Sequence, residues 1–348
     1  MAPTRTEKVL CASSLPYLWR REKERRSGYA TARASPSSLE PKPLLKWVGG
    51  KTQIIDAVME LFPRTMRGYH EPFLGGGSVL LALLAHKRRG SIEITGPIRA
   101  SDINLALIAL FRNVQTKPEE LIRELRTLLA HLAKCGHTTP ADRDPATMEE
   151  ALASQESLYY WVRSQYNALH GECRTSVAAS AMLLFLNKLC FRGLYREGPS
   201  GFNVPFGHYK NPSVFNEAHV REVSSLIQGV EFTHASFEES VRHARAGDFV
   251  YMDPPYAPEC DASFVSYTCD GFDGGKHRAL FELCAGMEAS GVGMLMSNAD
   301  VASVRRAFPT PSFATRVIRC RRRINSKRPN AHTNEVLITN CAAQQAAT

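Results

Sequence analysis

Between residues 44 and 113 the spacing of apolar positions switches repeatedly between two periods. A helix-like repeat over 54–62 stops at Pro63, and a short apolar run at 69–73 leads into Gly75-Gly76-Gly77, after which helical spacing resumes over 78–86. A second strand-like run, 98–101, ends at Asp102, and 103–113 is helical again. From 114 to 229 the pattern changes to long helical spans (119–133, 148–169 and 176–191) and a Gly/Pro/Asn-rich stretch at 193–212, with no buried-strand run before Val230. Alternation then returns, with a strand at 249–252, a helix at 276–289, a strand at 292–296 and a closing strand pair at 313–318 and 336–339. This pattern predicts an α/β protein in which residues 44–113 and 230–341 build one Rossmann-like sheet domain and residues 114–229 form a mostly helical insertion. Residues 1–43 are rich in Arg, Ser, Ala and Pro without any period and predict a disordered basic tail.

Charge sharpens the picture only where it is clustered. The net charge of the 348 residues is +9, and nine Lys/Arg against four Asp/Glu place +5 of it in residues 1–43. The rest is mildly basic except from Arg316 to Asn330, where Arg316, Arg319, Arg321, Arg322, Arg323, Lys327 and Arg328 occur with no acid, a composition suited to phosphate neutralisation. No apolar run reaches the ~18–20 residues of a membrane span, and no apolar segment follows the charged run at 20–26 as in a signal peptide. The nine cysteines form no Cys-x-x-Cys pair, which argues against a disulfide framework or zinc knuckle and for a reducing cytoplasm.

Three segments carry chemistry. Asp253-Pro254-Pro255-Tyr256 follows the apolar run 249–252, which puts a carboxylate at the C-terminal end of a strand, where open α/β sheets bind ligands. The two prolines remove backbone donors, leaving an acceptor-only surface (the Asp253 carboxylate and the Pro254 carbonyl) beside the aromatic face of Tyr256. An exocyclic aryl amine, with two N–H donors and a π system, fits such a site. Glu71-Pro72-Phe73-Leu74-Gly75-Gly76-Gly77-Ser78 turns a strand into a helix with glycines that allow close approach of a ligand, and Asp102, at the next strand end, is placed to accept from ribose hydroxyls. In the third segment, Lys46-Trp47-Val48-Gly49-Gly50-Lys51, a phosphate-binding P-loop reading fails because Leu45 stands where glycine is required. Lys51 is left to meet a carboxylate and Trp47 to pack on a flat ring.

Together these segments resemble the Dam-like (D12 class) DNA adenine N6-methyltransferases. Also similar are Asp102-Ile103-Asn104, Gly201 to Gly207 with Tyr209-Lys210-Asn211-Pro212, the aromatic residues Phe264, Tyr267 and Phe272, Ser297-Asn298 and Asn334-Glu335-Val336-Leu337-Ile338. The resemblance implies transfer of a methyl group from S-adenosylmethionine to adenine N6 in double-stranded DNA, with the base flipped out of the helix and no metal required. It implies a cofactor site of Trp47, Lys51 (at the methionine carboxylate), Glu71, Phe73, Gly75, Gly77, Asp102 (at the ribose) and Asp253. Catalysis would rest on Asp253, Pro254, Pro255 and Tyr256, the carboxylate gripping the amine and the ring stacking on the base. DNA contacts would come from Arg192, Tyr195, Arg196, Asn203 and Lys210 in the insertion, Arg196 matching an arginine that reads a guanine. GATC is the recognition sequence this suggests, although family members usually carry asparagine where Arg192 stands. From the residues alone, methylation of cytosine N4 or of RNA, and a catalytically silent DNA-binding scaffold, remain alternatives.

Overall fold

The structure, a computed structural model, describes residues 41–210, 212–258, 272–321 and 332–341. Residues 1–40, Asn211, Phe264, Tyr267, Arg322, Arg323, Lys327 and Arg328 lie outside the described residues.

After a 3-10 turn at Lys51–Gln53, the chain forms α1 (Ile55–Met59), β1 (Thr65–Met66), β2 (Tyr69–Glu71), α2 (Ser78–Arg88), β3 (Glu93–Ile94), β4 (Ile98–Asp102) and α3 (Leu105–Thr116). The middle contains α4 (Pro118–Lys134), α5 (Met148–Ala151), α6 (Gln155–Asn167), α7 (Val177–Leu189), the short strands β5 (Glu197–Gly198) and β6 (Gly201–Phe202), and α8 (Glu217–Leu226). The last part runs through β7 (Val230–His234), α9 (Phe237–Val241), β8 (Phe249–Met252), α10 (Gly274–Ala289), β9 (Gly293–Ala299), α11 (Ala302–Ala307), β10 (Ala314–Arg321) and β11 (His332–Thr339).

Seven strands make one sheet in the order β10-β11-β9-β8-β2-β4-β7. The five from β9 to β7 are parallel, and β11 and β10 are added antiparallel at one edge. The fold is therefore the Rossmann-like α/β class that the alternating pattern predicts. Both faces of the sheet are covered. In β8, Phe249 and Tyr251 pack into one apolar cluster with α2, α3 and the helices of the middle segment, while Val250 and Met252 enter a second cluster with α9 and α10. That is why β8 reads as an uninterrupted apolar run rather than an alternating one. From β2 the chain builds outward to β4 and β7, then returns to the other side of β2 for β8 and β9. The switch point thus lies between β2 and β8, the place where ligands enter open α/β sheets.

The expected single helix over 148–169 is broken in two. Thr147 and Glu150 form a capping box for α5, and the Ser154 hydroxyl accepts from the Ser157 amide at 3.0 Å to restart the chain as α6. Three short helices, α8, α9 and α11, are additional to the predicted pattern. The helices of the middle segment share the apolar cluster of the first sheet face, so sheet and helices pack together there.

Candidate active site and nucleic-acid interface

Three parallel strands deliver a carboxylate each to the same end of the sheet: Glu71 closes β2, Asp102 closes β4, and Asp253 directly follows β8. They straddle the switch point, and Glu71 feels the charge of both others.

The loop after β2 is shaped by its glycines. Gly75 and Gly77 adopt φ of 50° and 73°, in the left-handed region. A Cβ on Gly77 would lie 2.7 Å from Phe111 Cζ. Gly77→Ala is therefore expected to cost roughly 2–5 kcal/mol from backbone strain plus overpacking, lowering the melting temperature by several degrees. An unchanged thermal midpoint would show that this loop relaxes freely.

Asp102 closes the loop over itself. Its Oδ2 accepts from the Gly75 amide and its Oδ1 from the Asn104 amide, both at 2.9 Å, and burial raises its pKa. The Ile103 amide also hydrogen-bonds this carboxylate. Ile103, beside it, is 59% exposed, an apolar side chain left in solvent at the mouth of the site. Asn104 then caps α3 through its Oδ1.

Glu71 is buried, and the Tyr69 hydroxyl donates to its Oε2 at 2.6 Å. Burial pushes this carboxyl up to about 8, so at neutral pH it is largely protonated. Phe73 stacks on Phe237 at 5.6 Å and meets Phe272 edge-on, forming an aromatic wall between the loop and α9.

Lys51 is the charged centre of the site. Its side chain is 4% exposed, and its Nζ lies 2.7 Å from Asp253 Oδ1, donates to the Gly49 carbonyl and stands 5.0 Å over the Tyr256 ring. The residue pattern leaves Lys51 to meet a carboxylate, and in the structure that carboxylate is Asp253. Burial raises the Asp253 pKa, while Lys51 pulls it back down.

Asp253-Pro254-Pro255-Tyr256 is held from three separate elements. His277 Nε2 of α10 lies 3.1 Å from the Pro255 carbonyl, the Tyr256 hydroxyl donates to Glu335 Oε2 of β11 at 2.7 Å, and the Ala257 amide donates to Asn298 Oδ1 of β9 at 3.0 Å. Of these partners, Asn298 and Glu335 lie in motifs visible in the sequence, but neither their pairing nor the part played by His277 is. An acid preceding the apolar run 336–338 was the one available signal for Glu335.

The expected DNA contacts divide into two groups. Arg192, Arg196, Asn203 and Lys210 are exposed, and Arg196 Nε donates to Asn203 Oδ1 at 2.6 Å across the β5–β6 hairpin. Arg192 adopts φ 59°, a backbone conformation that asparagine tolerates far better than arginine does. Its guanidinium lies 5.1 Å from the ring of the exposed Phe191. Tyr195, by contrast, turns inward and packs between Trp47, with centroids 5.0 Å apart, and Phe202 of the hairpin, at 5.7 Å. Asn187 was not anticipated. It is fully buried and binds both backbone groups of Lys46 as well as the Gly193 carbonyl, so it ties the Trp47 segment to the turn before the hairpin.

In the basic stretch, Arg316 and Arg319 are exposed on β10, and Arg316 is paired with Glu60 at 2.8 Å. Among the described residues, no helix is long and apolar enough to cross a membrane.

Against this geometry, the family model for D12 class N6 adenine-specific DNA methyltransferases matches residues 47–322. The chain belongs to this family. Relatives include the Type II methyltransferase M.MjaIII of Methanocaldococcus jannaschii, 35% identical over 75% of this chain and 85% of the relative. A DNA adenine methylase of Salmonella typhi is 30% identical over 82% and 90%, and the retron Ec67 DNA adenine methylase of Escherichia coli is 29% identical over 81% and 85%. This D12 class enzyme is thus a DNA adenine methyltransferase that uses a methyl donor. Of the alternatives that the residues alone leave open, cytosine N4, RNA and a silent scaffold give way to adenine in DNA.

Proposed function

We propose that the enzyme transfers the methyl group of S-adenosylmethionine to adenine N6 of a base flipped out of double-stranded DNA, at GATC sites. The observation that carries this reading is the Asp253 carboxylate at the end of β8, already accepting from an ammonium at 2.7 Å beneath the Tyr256 ring. An aryl amine has the same donor character and would take the place of that ammonium.

The site fits the cofactor. Asp102 is a buried acceptor at the strand end toward which ribose hydroxyls would point, the exposed Ile103 offers an apolar face for a purine, and Gly75 and Gly77 leave the loop without side chains. Glu71, which burial holds largely protonated, would ionise beside an α-ammonium, and Lys51 would move toward an α-carboxylate. When bound, the cofactor supplies an electrophilic sulfonium methyl. The protein's own part is alignment and charge placement. Asp253 and the Pro254 carbonyl accept the two N–H groups of the amine, which favours rehybridisation of nitrogen and frees its lone pair. Tyr256 stacks on the base, returning ~1–3 kcal/mol of the few kcal/mol that flipping costs. Pro255 contributes by withholding a competing donor.

Residues 114–229 serve in this reading as the target-recognition part, with Arg196, positioned by Asn203, reading a guanine, and Arg192 and Lys210 on the duplex. Tyr195 acts from the inner side, through Trp47. The cytoplasm is the setting this activity calls for.

Methylating a plasmid of known sequence with S-adenosylmethionine and mapping the modified bases tests the proposal. N6-methyladenine confined to GATC in duplex DNA is expected; modification at other adenines would overturn the site, and transfer only to single strands would overturn the substrate form. Arg196→Ala is expected to weaken discrimination at one guanine by ~1–3 kcal/mol. An equal loss on every sequence would make it a phosphate contact.

A further inference from the structure

Glu335 reaches the active site from β11, two strands from β8 and next to the edge strand β10. Strand β11 runs antiparallel to β9, pairing Glu335 with Ala299 and Val336 with Asn298, so its N-terminal half lies at the end of the sheet where the parallel strands stop. Val336, Leu337 and Ile338 are buried, which pins the register. Glu335 shares a face with Leu337, the face that also carries Tyr251, and from there it accepts the Tyr256 hydroxyl at 2.7 Å. The Tyr256 ring is thereby held at both ends, by its backbone between Pro255 and the Asn298-bound Ala257 and by its hydroxyl on Glu335.

We propose that Glu335 is a positioning residue for methyl transfer, fixing the plane of the Tyr256 ring and, through it, the target adenine against Asp253. This rests on the reading that Tyr256 stacks on the flipped base. The chemistry favours the pairing. A phenol donating to a carboxylate makes a charge-assisted hydrogen bond, and burial together with the nearby Asp253 and Glu335 charges keeps that phenol protonated, so it remains a donor across the working pH range. A ring free at its hydroxyl end would sample other tilts, and displacement of a reacting group by about 1 Å can cost on the order of 100-fold in rate.

Single-turnover methylation and the emission of 2-aminopurine at the target position of a duplex oligonucleotide provide the test. Glu335→Ala is expected to slow transfer about 10- to 100-fold, with S-adenosylmethionine binding and melting temperature close to wild type, and to raise 2-aminopurine emission at saturating protein because the extruded base is less firmly stacked. Glu335→Gln keeps an acceptor and is expected to stay within about 3-fold of wild type, a margin small beside the loss that misplacement causes. Tyr256→Phe removes the same hydrogen bond from its other end and is expected to match Glu335→Ala, with the double variant no slower than either alone. Full additivity of the two losses would overturn the proposal, as would equal losses in Glu335→Gln and Glu335→Ala, which would make the charge the active element. Tyr256→Ala separates this from its premise: if that variant transfers methyl groups at the wild-type rate, stacking by Tyr256 itself falls.

Discussion

Asp253→Ala reduces single-turnover methylation by at least ~1,000-fold, the scale of losing a charged group aligned with the reacting atom, while S-adenosylmethionine affinity changes little. Asp253 is one member of the cofactor site the resemblance implies, but Glu71 and Asp102 lie on β2 and β4 and the glycine loop follows β2, so most of that site is independent of the residue after β8. Its removal takes away the acceptor for the amine without opening the cofactor loop. Lys51 keeps the Gly49 carbonyl as a partner, which limits the cost of leaving its ammonium without the carboxylate. Asp253→Asn preserves the shape and one acceptor oxygen and is expected to fall between the two. Rapid-quench methylation with enzyme in excess, alongside calorimetric titration of the cofactor, measures both quantities. Retention of full activity in Asp253→Ala would remove the carboxylate from the mechanism.

Lys51→Met produces a loss of a different kind, one that depends on pH. In the wild-type protein, burial and the Glu335 charge raise the Asp253 pKa, and Lys51 opposes both. Without the ammonium only the raising influences remain, so Asp253 takes up a proton at higher pH and ceases to accept the amine. The acidic limb of the rate–pH profile should therefore move to higher pH. Transfer at neutral pH should drop as the protonated fraction of Asp253 grows, and partly recover in alkaline buffer. Cofactor affinity should also weaken if Lys51 meets the cofactor carboxylate. A limb that stays in place would show that Lys51 does not govern the ionisation of Asp253.

The fold class was legible because two periodicities alternate so clearly along the chain. β8 occupies the residues its apolar run predicts, and β4 extends the expected strand by one residue to include Asp102. Errors arose where local capping competed with periodicity. The apolar spacing of 148–169 continues through Leu152–Ser154, yet the Ser154 side chain satisfies the Ser157 amide and divides the helix. Helices of a single turn or so, such as α9 with five residues, carry too few turns for their period to stand out.

Much the same division holds within the site. Asp102 and Asp253 could be picked out because each follows an apolar run, so chain order alone assigns them to strand ends; Glu71 lies inside the run 69–73 and was marked by the glycine loop beyond it, and the structure ends β2 at Glu71. What each carboxylate is bonded to could not be read this way. Lys51 meets Asp253, Tyr256 meets Glu335 and Tyr195 meets Trp47 across gaps of 202, 79 and 148 residues. Linear motifs encode residue type and local spacing, which fix strands, turns and the chemistry available at their ends. Partners are chosen by strand order: returning from β7 to β8 on the opposite side of β2 brings Asp253 near Lys51, and the antiparallel addition of β11 carries Glu335 to Tyr256. Those pairings arise from packing and sheet register, interactions between distant segments that leave no period in the chain.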